Sequence, residues 1–246
     1  MYADKDGRGY PDWALRYVPI ATRLERRNLT SKTILEIGAN ANGLARFLET
    51  PGARIIALNI CLDSLREARA AQGILPVMAD ASALPFRDKS IHVCVCVDTY
   101  EHLHEDKRRL TGIEILRTLA DSGLAVVAFP SGANAEEAER RIRDAYRRYT
   151  GGTIHWLEEH NIAGIPDANK VIRELTAAAG NARRVTCEKN AAIAAWVWMW
   201  SVLMCGWPGR GNALFQALLR FLTPFLCRVH FGNCYRIMIW IDPKPG

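Results

Sequence analysis

Two patterns alternate through the first two-thirds of the chain. Short apolar runs near 33–38, 53–59, 75–79, 91–98 and 123–129 are bounded by turn-forming and polar residues and predict strands. Between them, "LDSLREARAAQ" (62–72) and "EDKRRLTGIEILRTLA" (105–120) carry apolar residues at three- and four-residue spacing and predict helices, with a further helix over 42–50. Strands that are apolar nearly throughout, separated by helices, belong to a parallel sheet covered on both faces. The expected fold class is therefore α/β, a doubly wound and mostly parallel sheet. Ligands of such a sheet sit at the carboxyl ends of its strands. Those ends fall at Glu36 to Gly43, Asn59, Asp80 to Ala81, and Asp98 to His102, and all carry polar or small residues.

The last third reads differently. "ARRVTCEKN" predicts a sixth strand and "CYRIMIWID" a closing one. Between them stand "AAIAAWVWMWSVLMCGWPG", uncharged from Ala191 to Gly209, and "ALFQALLRFLTPFLCRVHF". The expected organisation is an N-terminal helical segment (1–30), a sheet domain (31–189 and 233–246) and an apolar helical insertion (190–232). The apolar run is marginal against the ~20 residues a membrane span needs, and it ends in Gly-Trp-Pro-Gly. Two readings stay open. One is an interfacial hairpin at the cytoplasmic face of a membrane, with Trp196, Trp200 and Trp207 on one stripe at headgroup level. The other is a hairpin folded over the site as an apolar substrate wall, or used as a homodimer contact.

Composition narrows the field. With 246 residues, 49% of them apolar and 24% charged, the chain is ordinary globular material. The net charge of +6 is spread out, and "RRIRDAYRR" (140–148) mixes signs like a solvated helix face, so no nucleic-acid partner is expected. The seven cysteines form no C-x-x-C, and Cys94 and Cys96 alternate on a strand-like run as buried thiols would. A reducing, cytoplasmic setting follows, and "MYADKDGRGYPDW" has no apolar core that would suggest secretion. No Cys or His pair has ligand spacing, so no metal is expected.

The opening turn, "ILEIGANANGLARFL" (34–48), runs a strand into small residues and on toward a helix, a geometry whose free N–H groups suit an anionic ligand group. As a dinucleotide fingerprint it is incomplete, since Asn40 stands where the middle glycine would be. Taken with "ALNICLDSLREAR", "MADASALPFRDKSIHVCVCVDTYEHL" and "EILRTLADSGLAVVAFPS", it resembles class I S-adenosylmethionine-dependent methyltransferases, within them the type 11 small-molecule group, over residues 30 to 132. The "ADASALPF" and "DTYEHL" segments would not be expected of a dinucleotide dehydrogenase. The resemblance implies a Rossmann-like methyltransferase sheet, mostly parallel with an antiparallel last strand, S-adenosyl-L-methionine as cofactor, and methyl transfer to an oxygen or carbon of a small, apolar or lipid-linked molecule.

It also implies roles for particular residues. Glu36 would hold the cofactor's amino group, and Gly38 would let the backbone approach, because a Cβ there would collide with the ligand. Asn40, Asn42 and Gly43 would shape the turn, asparagine being the non-glycine residue that best tolerates positive φ. Asn59 and Ile60 would meet the ribose and base, and Asp80 and the Ala81 N–H would read the adenine edge. Asp80 also reads as a turn-capping residue. Asn59 stands where the family has a carboxylate, so Asn59→Asp is expected to tighten binding by about 1 kcal/mol. That departure leaves a second class open, a non-catalytic binding module. For a hydroxyl acceptor His102 and His104 are candidate general bases, with Asp98 a further catalytic and cofactor-binding candidate, while His155 and His160 fall in a segment that could lid the crevice.

Overall fold

The computed structural model describes residues 10–40, 43–48, 50–68, 73–204, 210–230 and 232–244. One sheet has the order β3-β2-β1-β4-β5-β7-β6. Its strands are β1 Thr33–Ile37, β2 Arg54–Asn59, β3 Ile74–Met78, β4 Ile91–Val97, β5 Leu119–Pro130, β6 Arg183–Ala192 and β7 Cys234–Pro243. β1 to β5 pair in parallel, and β7 lies antiparallel between β5 and β6. The order reverses between β1 and β4, which makes the carboxyl ends of those two strands the mouth of the crevice. The α/β class is as the sequence pattern predicts, and the antiparallel closing strand is as the family resemblance implies.

Burial on both faces explains the apolar runs. Leu35, Ile37, Cys94, Cys96, Ala125 and Val127 point to one face, under Ile115 of α3 (Glu105–Thr118) and Val171 and Leu175 of α6 (Ala168–Ala179). Ile34, Val93, Val95, Val126 and Trp240 point to the other, under Tyr17, Ile20 and Leu24 of α1 (Tyr10–Glu25). The alternation is the two-residue period of a strand seen from both sides at once.

Two expectations change, and the helix over 62–72 is met as far as the described residues reach. The helix expected over 42–50 is only a 3-10 turn, Leu44–Arg46. Gly43 before it is extended (ψ −169°), and the Leu44 N–H donates to Glu36 Oε1 at 2.9 Å instead of opening a helix. Asn42 lies outside the described residues. The helix expected over 62–72 is α2, Leu62–Ala68, with 69–72 outside them as well.

The second change concerns the insertion. β6 runs on to Ala192, and α7 (Ile193–Met204) and α8 (Arg210–Leu226) follow. Trp196 and Trp200 are buried with Ala135, Ala138 and Ile142 of α4 (Gly132–Thr150) and Leu157 of α5 (His155–Ala163). They are core residues, not headgroup anchors, and Trp207 lies outside the described residues. Among the described residues no helix is long and apolar enough to cross a membrane.

Gly38 shows why the first turn needs its glycine. It has φ +78°, and a Cβ there would overlap the Thr99 hydroxyl, which bonds the Ile37 carbonyl at 3.2 Å. The collision is with the protein's own β4 turn, where the sequence suggested the ligand. Gly38→Ala is expected to cost about 3 kcal/mol, split between positive φ and overpacking. In urea denaturation, adding Thr99→Ala should recover the overpacking share beyond what the two single variants predict; simple additivity would show that Thr99 is not the obstacle.

Candidate active site

Four strand ends build the crevice. At β1, Glu36 is buried beside α1 and accepts from Leu44 N–H and from the Tyr17 hydroxyl. Desolvation raises its pKa to about 7 against those two donors. Gly43 belongs to the same device, since a Cβ there would stand 2.5 Å from Glu36 Oε1. The turn amides are not a bare anion cradle: the Gly38 and Ala39 N–H groups both donate to the Leu58 carbonyl, and Gly43 N–H donates to Asn40.

At β2, Asn59 uses both ends of its amide. Nδ2 donates to the Ala39 carbonyl at 2.9 Å, and Oδ1 accepts from Cys61 N–H at 2.9 Å. The side chain thus ties the β1 turn to the β2 turn, a task a carboxylate could only half perform, and this reverses the sign expected for Asn59→Asp. Next to it Ile60 is exposed, as is Met78 at the end of β3. Past β3, Asp80 accepts from Ser82 N–H and Oγ at 2.8 and 2.7 Å and pairs with Lys107 at 2.9 Å. The Ser82 amide and the lysine ammonium lower its pKa to about 2, so it is an ionised acceptor as well as the turn cap the sequence allowed. Ala81 beside it is buried.

At β4, Asp98 adopts φ +53°. Its carboxylate is gripped by two guanidiniums, Arg16 of α1 and Arg236 of β7. Asp12 holds Arg16 from the other side at 2.6 Å, and Trp196 lies 5.5 Å and 5.1 Å from the two guanidinium carbons. Expected as a catalytic group, Asp98 is committed to ion pairs and acts here as an anchor. Arg16 and Arg236 went unread in the sequence, although Arg236 is the one charge within "CYRIMIWI".

His102 and His104, both proposed as bases, part company. His104 is exposed at the N-cap of α3, whereas His102 packs edge-on against His160 with ring centroids 4.7 Å apart. Burial, with His160 adding to it, lowers the His102 pKa to about 4. His160 reaches Glu139 of α4 at 2.8 Å, and Glu139 also accepts from Tyr235 of β7 at 2.8 Å. α5 therefore lies over the β4 turn, the lid position that its sequence suggested, while His155 is exposed and pairs only with Glu159. Among the described residues, the cavity lined by Lys32, His92 and Leu124 lies at the opposite edge of the sheet and takes no part.

Comparison with known proteins agrees with this geometry. A family model described as a methyltransferase domain matches residues 35–127. None of the curated proteins compared matches in sequence. Among solved structures, a Haloferax volcanii protein in complex with the Trm112 methyltransferase activator superposes with TM-score 0.60 at 16% identity, covering 99% of this chain and 96% of that one. An S-adenosylmethionine-dependent methyltransferase of Archaeoglobus fulgidus gives 0.55 at 14%, with 91% and 92% covered. A Haemonchus contortus phosphoethanolamine N-methyltransferase, solved with phosphomonomethylethanolamine and S-adenosylhomocysteine, gives 0.58 at 10%, with 100% of this chain and 58% of that one covered.

Glu36 makes this site's stability depend on pH. Its folded pKa lies above the ordinary carboxyl value, so the folded state binds the extra proton and stability falls as pH rises through about 4.5 to 7. The shift corresponds to roughly 3 kcal/mol. Glu36→Gln should remove that slope, seen as denaturation midpoints that differ from wild type increasingly toward pH 8; parallel pH profiles would mean that Glu36 is ionised throughout.

Proposed function

From a chain whose residues 35–127 form a methyltransferase domain on a class I methyltransferase sheet, we propose methyl transfer to an oxygen or carbon of an apolar, lipid-linked acceptor presented at an anionic membrane surface. The protein is an S-adenosylmethionine-dependent methyltransferase, and the cofactor supplies a sulfonium methyl when bound. The residues of the crevice fit it. The ionised Asp80 offers an acceptor to an adenine amino group, Ile60 and Met78 offer exposed apolar surface for a purine ring, and Glu36 offers a buried acceptor to an amino group. Transfer itself asks mainly for placement of the acceptor in line with the methyl.

The acceptor side is polar at its floor and apolar on its wall. Arg16, Arg236 and Asp98 form the floor, and the unpartnered Trp196 Nε1 and Asn190 amide, both buried, add polar atoms beside Arg236. α7 forms the wall, with Trp196 and Trp200 inward.

One observation carries the membrane reading. α8 buries Leu219 and Thr223 inward, yet its outer stripe Leu214, Leu218, Phe221 and Phe225 is 73, 45, 69 and 60% exposed. That spacing of four, three and four residues is one helix face. No Asp or Glu occurs between Asn190 and Ile241, while Arg220 and Arg228 flank the stripe, which favours an anionic lipid surface as its cover.

Two measurements test these readings. Calorimetry with S-adenosylhomocysteine should give binding that Asn59→Asp weakens several-fold, because a carboxylate would face the Ala39 carbonyl; tighter binding would return Asn59 to a ribose-facing role. Sedimentation with phosphatidylglycerol vesicles should retain wild-type protein and lose the Phe221→Ser/Phe225→Ser variant. A stripe that instead holds a salt-resistant dimer in ultracentrifugation, broken by the same variant, would replace the membrane with a second copy.

A further inference from the structure

Residues 101, 102 and 160 come together where the 3-10 turn Tyr100–His102, just past Asp98, meets α5. One ligand atom from each of Glu101, His102 and His160 lies within 4.8 Å of the others. Two of the three residues are almost wholly buried, Glu101 at 1% and His160 at 3% exposed. Each of these two has an orphaned atom: Glu101 Oε2 and His160 Nε2 have no hydrogen-bond partner. A buried carboxylate oxygen and a buried imidazole nitrogen without partners are costly, and a cation is one group that would satisfy both.

The second shell is already in place. His160 Nδ1 is 2.8 Å from Glu139 Oε1, itself fixed by the Tyr235 hydroxyl. His102 Nδ1 is 3.0 Å from Glu159 Oε2. A carboxylate that accepts a hydrogen bond from Nδ1–H keeps the proton on that nitrogen and leaves Nε2 as a bare lone pair, which is how ligating histidines are oriented. The nearby guanidiniums do not serve as the missing partner. Arg16 is held by Asp12 and Asp98, and Arg108 by the carbonyls of Tyr100, Ala163 and Gly164.

We propose that Glu101, His102 and His160 bind one divalent transition-metal ion of the zinc class. Two imidazoles and one carboxylate suit zinc, iron(II) or cobalt(II) better than magnesium or calcium, which favour all-oxygen sites. Ligand atoms of a four-coordinate zinc stand about 3.3 Å apart at its usual bond lengths, so side-chain movements of roughly an ångström close the site. Three protein ligands leave a position open for water or for an oxygen of the acceptor. The chain reading missed this because no ligand spacing exists between residues 102 and 160.

The test uses the full chain stripped with a chelator and then titrated with Zn²⁺ or Co²⁺, followed by calorimetry and visible absorption. One equivalent per chain is expected, with a low-coordinate Co²⁺ spectrum that lacks a thiolate charge-transfer band. Affinity should fall 100-fold or more in Glu101→Gln and in His102→Ala, and about tenfold or more in Glu139→Gln. His102 is partly exposed, so His102→Ala decides the matter if circular dichroism finds Glu101→Gln unfolded. Absence of stoichiometric binding, unchanged affinity in His102→Ala, or a thiolate band pointing to the exposed Cys61 or Cys187 would overturn the assignment. Because the readout is metal rather than methylation, the metal site and the transfer reading can fail separately.

Discussion

Asp98 sits between Arg16 and Arg236 at the end of the central strand, and the way three separate parts of the chain meet depends on that grip. α1 comes from before the sheet, β4 from its middle and β7 from its end, and each contributes one member. Arg236 is buried, and desolvation pushes its pKa well below the usual guanidinium value. Removing the central carboxylate would leave the buried Arg236 without its carboxylate and Arg16 with Asp12 alone, a loss on the order of 3–5 kcal/mol for a broken buried pair. Asp12 keeps the cluster electrically balanced, with two acids for two bases. Positive φ at Asp98 aims the carboxylate out of the strand, a conformation that aspartate tolerates better than most residues.

That grip also explains the use of the apolar insertion. Cationic side chains at the crevice floor need cover from water, and α7 supplies it by laying Trp196 against both guanidiniums. In doing so α7 becomes an interior helix, packed chiefly on α4. α8 then closes over α1 with its inward face and is left with a second apolar face outside. α7 is thus largely spent inside the protein, with Trp198 left exposed, and α8 is half spent, so the longer exposed apolar stripe of the two helices lies, among the described residues, on α8.

Much of the site was legible because its positions follow from chain order. Glu36, Asn59, Asp80 and Asp98 each end a strand whose apolar run is plain in the sequence, and a parallel sheet must gather those ends along one edge. What they do there was less legible. Asn59 reads as a weakened ribose contact in sequence, yet its amide is a tie between two turns. Gly38 reads as room for a ligand, yet the space is taken by Thr99. Both differences have the same source: a motif names a residue but not its neighbours across the sheet.

The sequence by itself determined the strands, the parallel α/β class and the line of polar residues at the strand ends, because these follow from local periodicity and from strands that alternate with helices. The antiparallel closing strand was legible only through the family resemblance, since α7 and α8 separate it from β6. The tertiary structure alone decided which distant side chains share a buried charge or a lone pair. Arg16, Asp98 and Arg236, and likewise Glu101, His102, Glu139 and His160, come from segments far apart in the chain, and no local pattern encodes their meeting. The fate of the apolar helices was also a tertiary matter. Whether a hydrophobic face is core or surface depends on what packs against it, and α7 found α4 and the guanidinium floor while the outer stripe of α8 found no partner among the described residues.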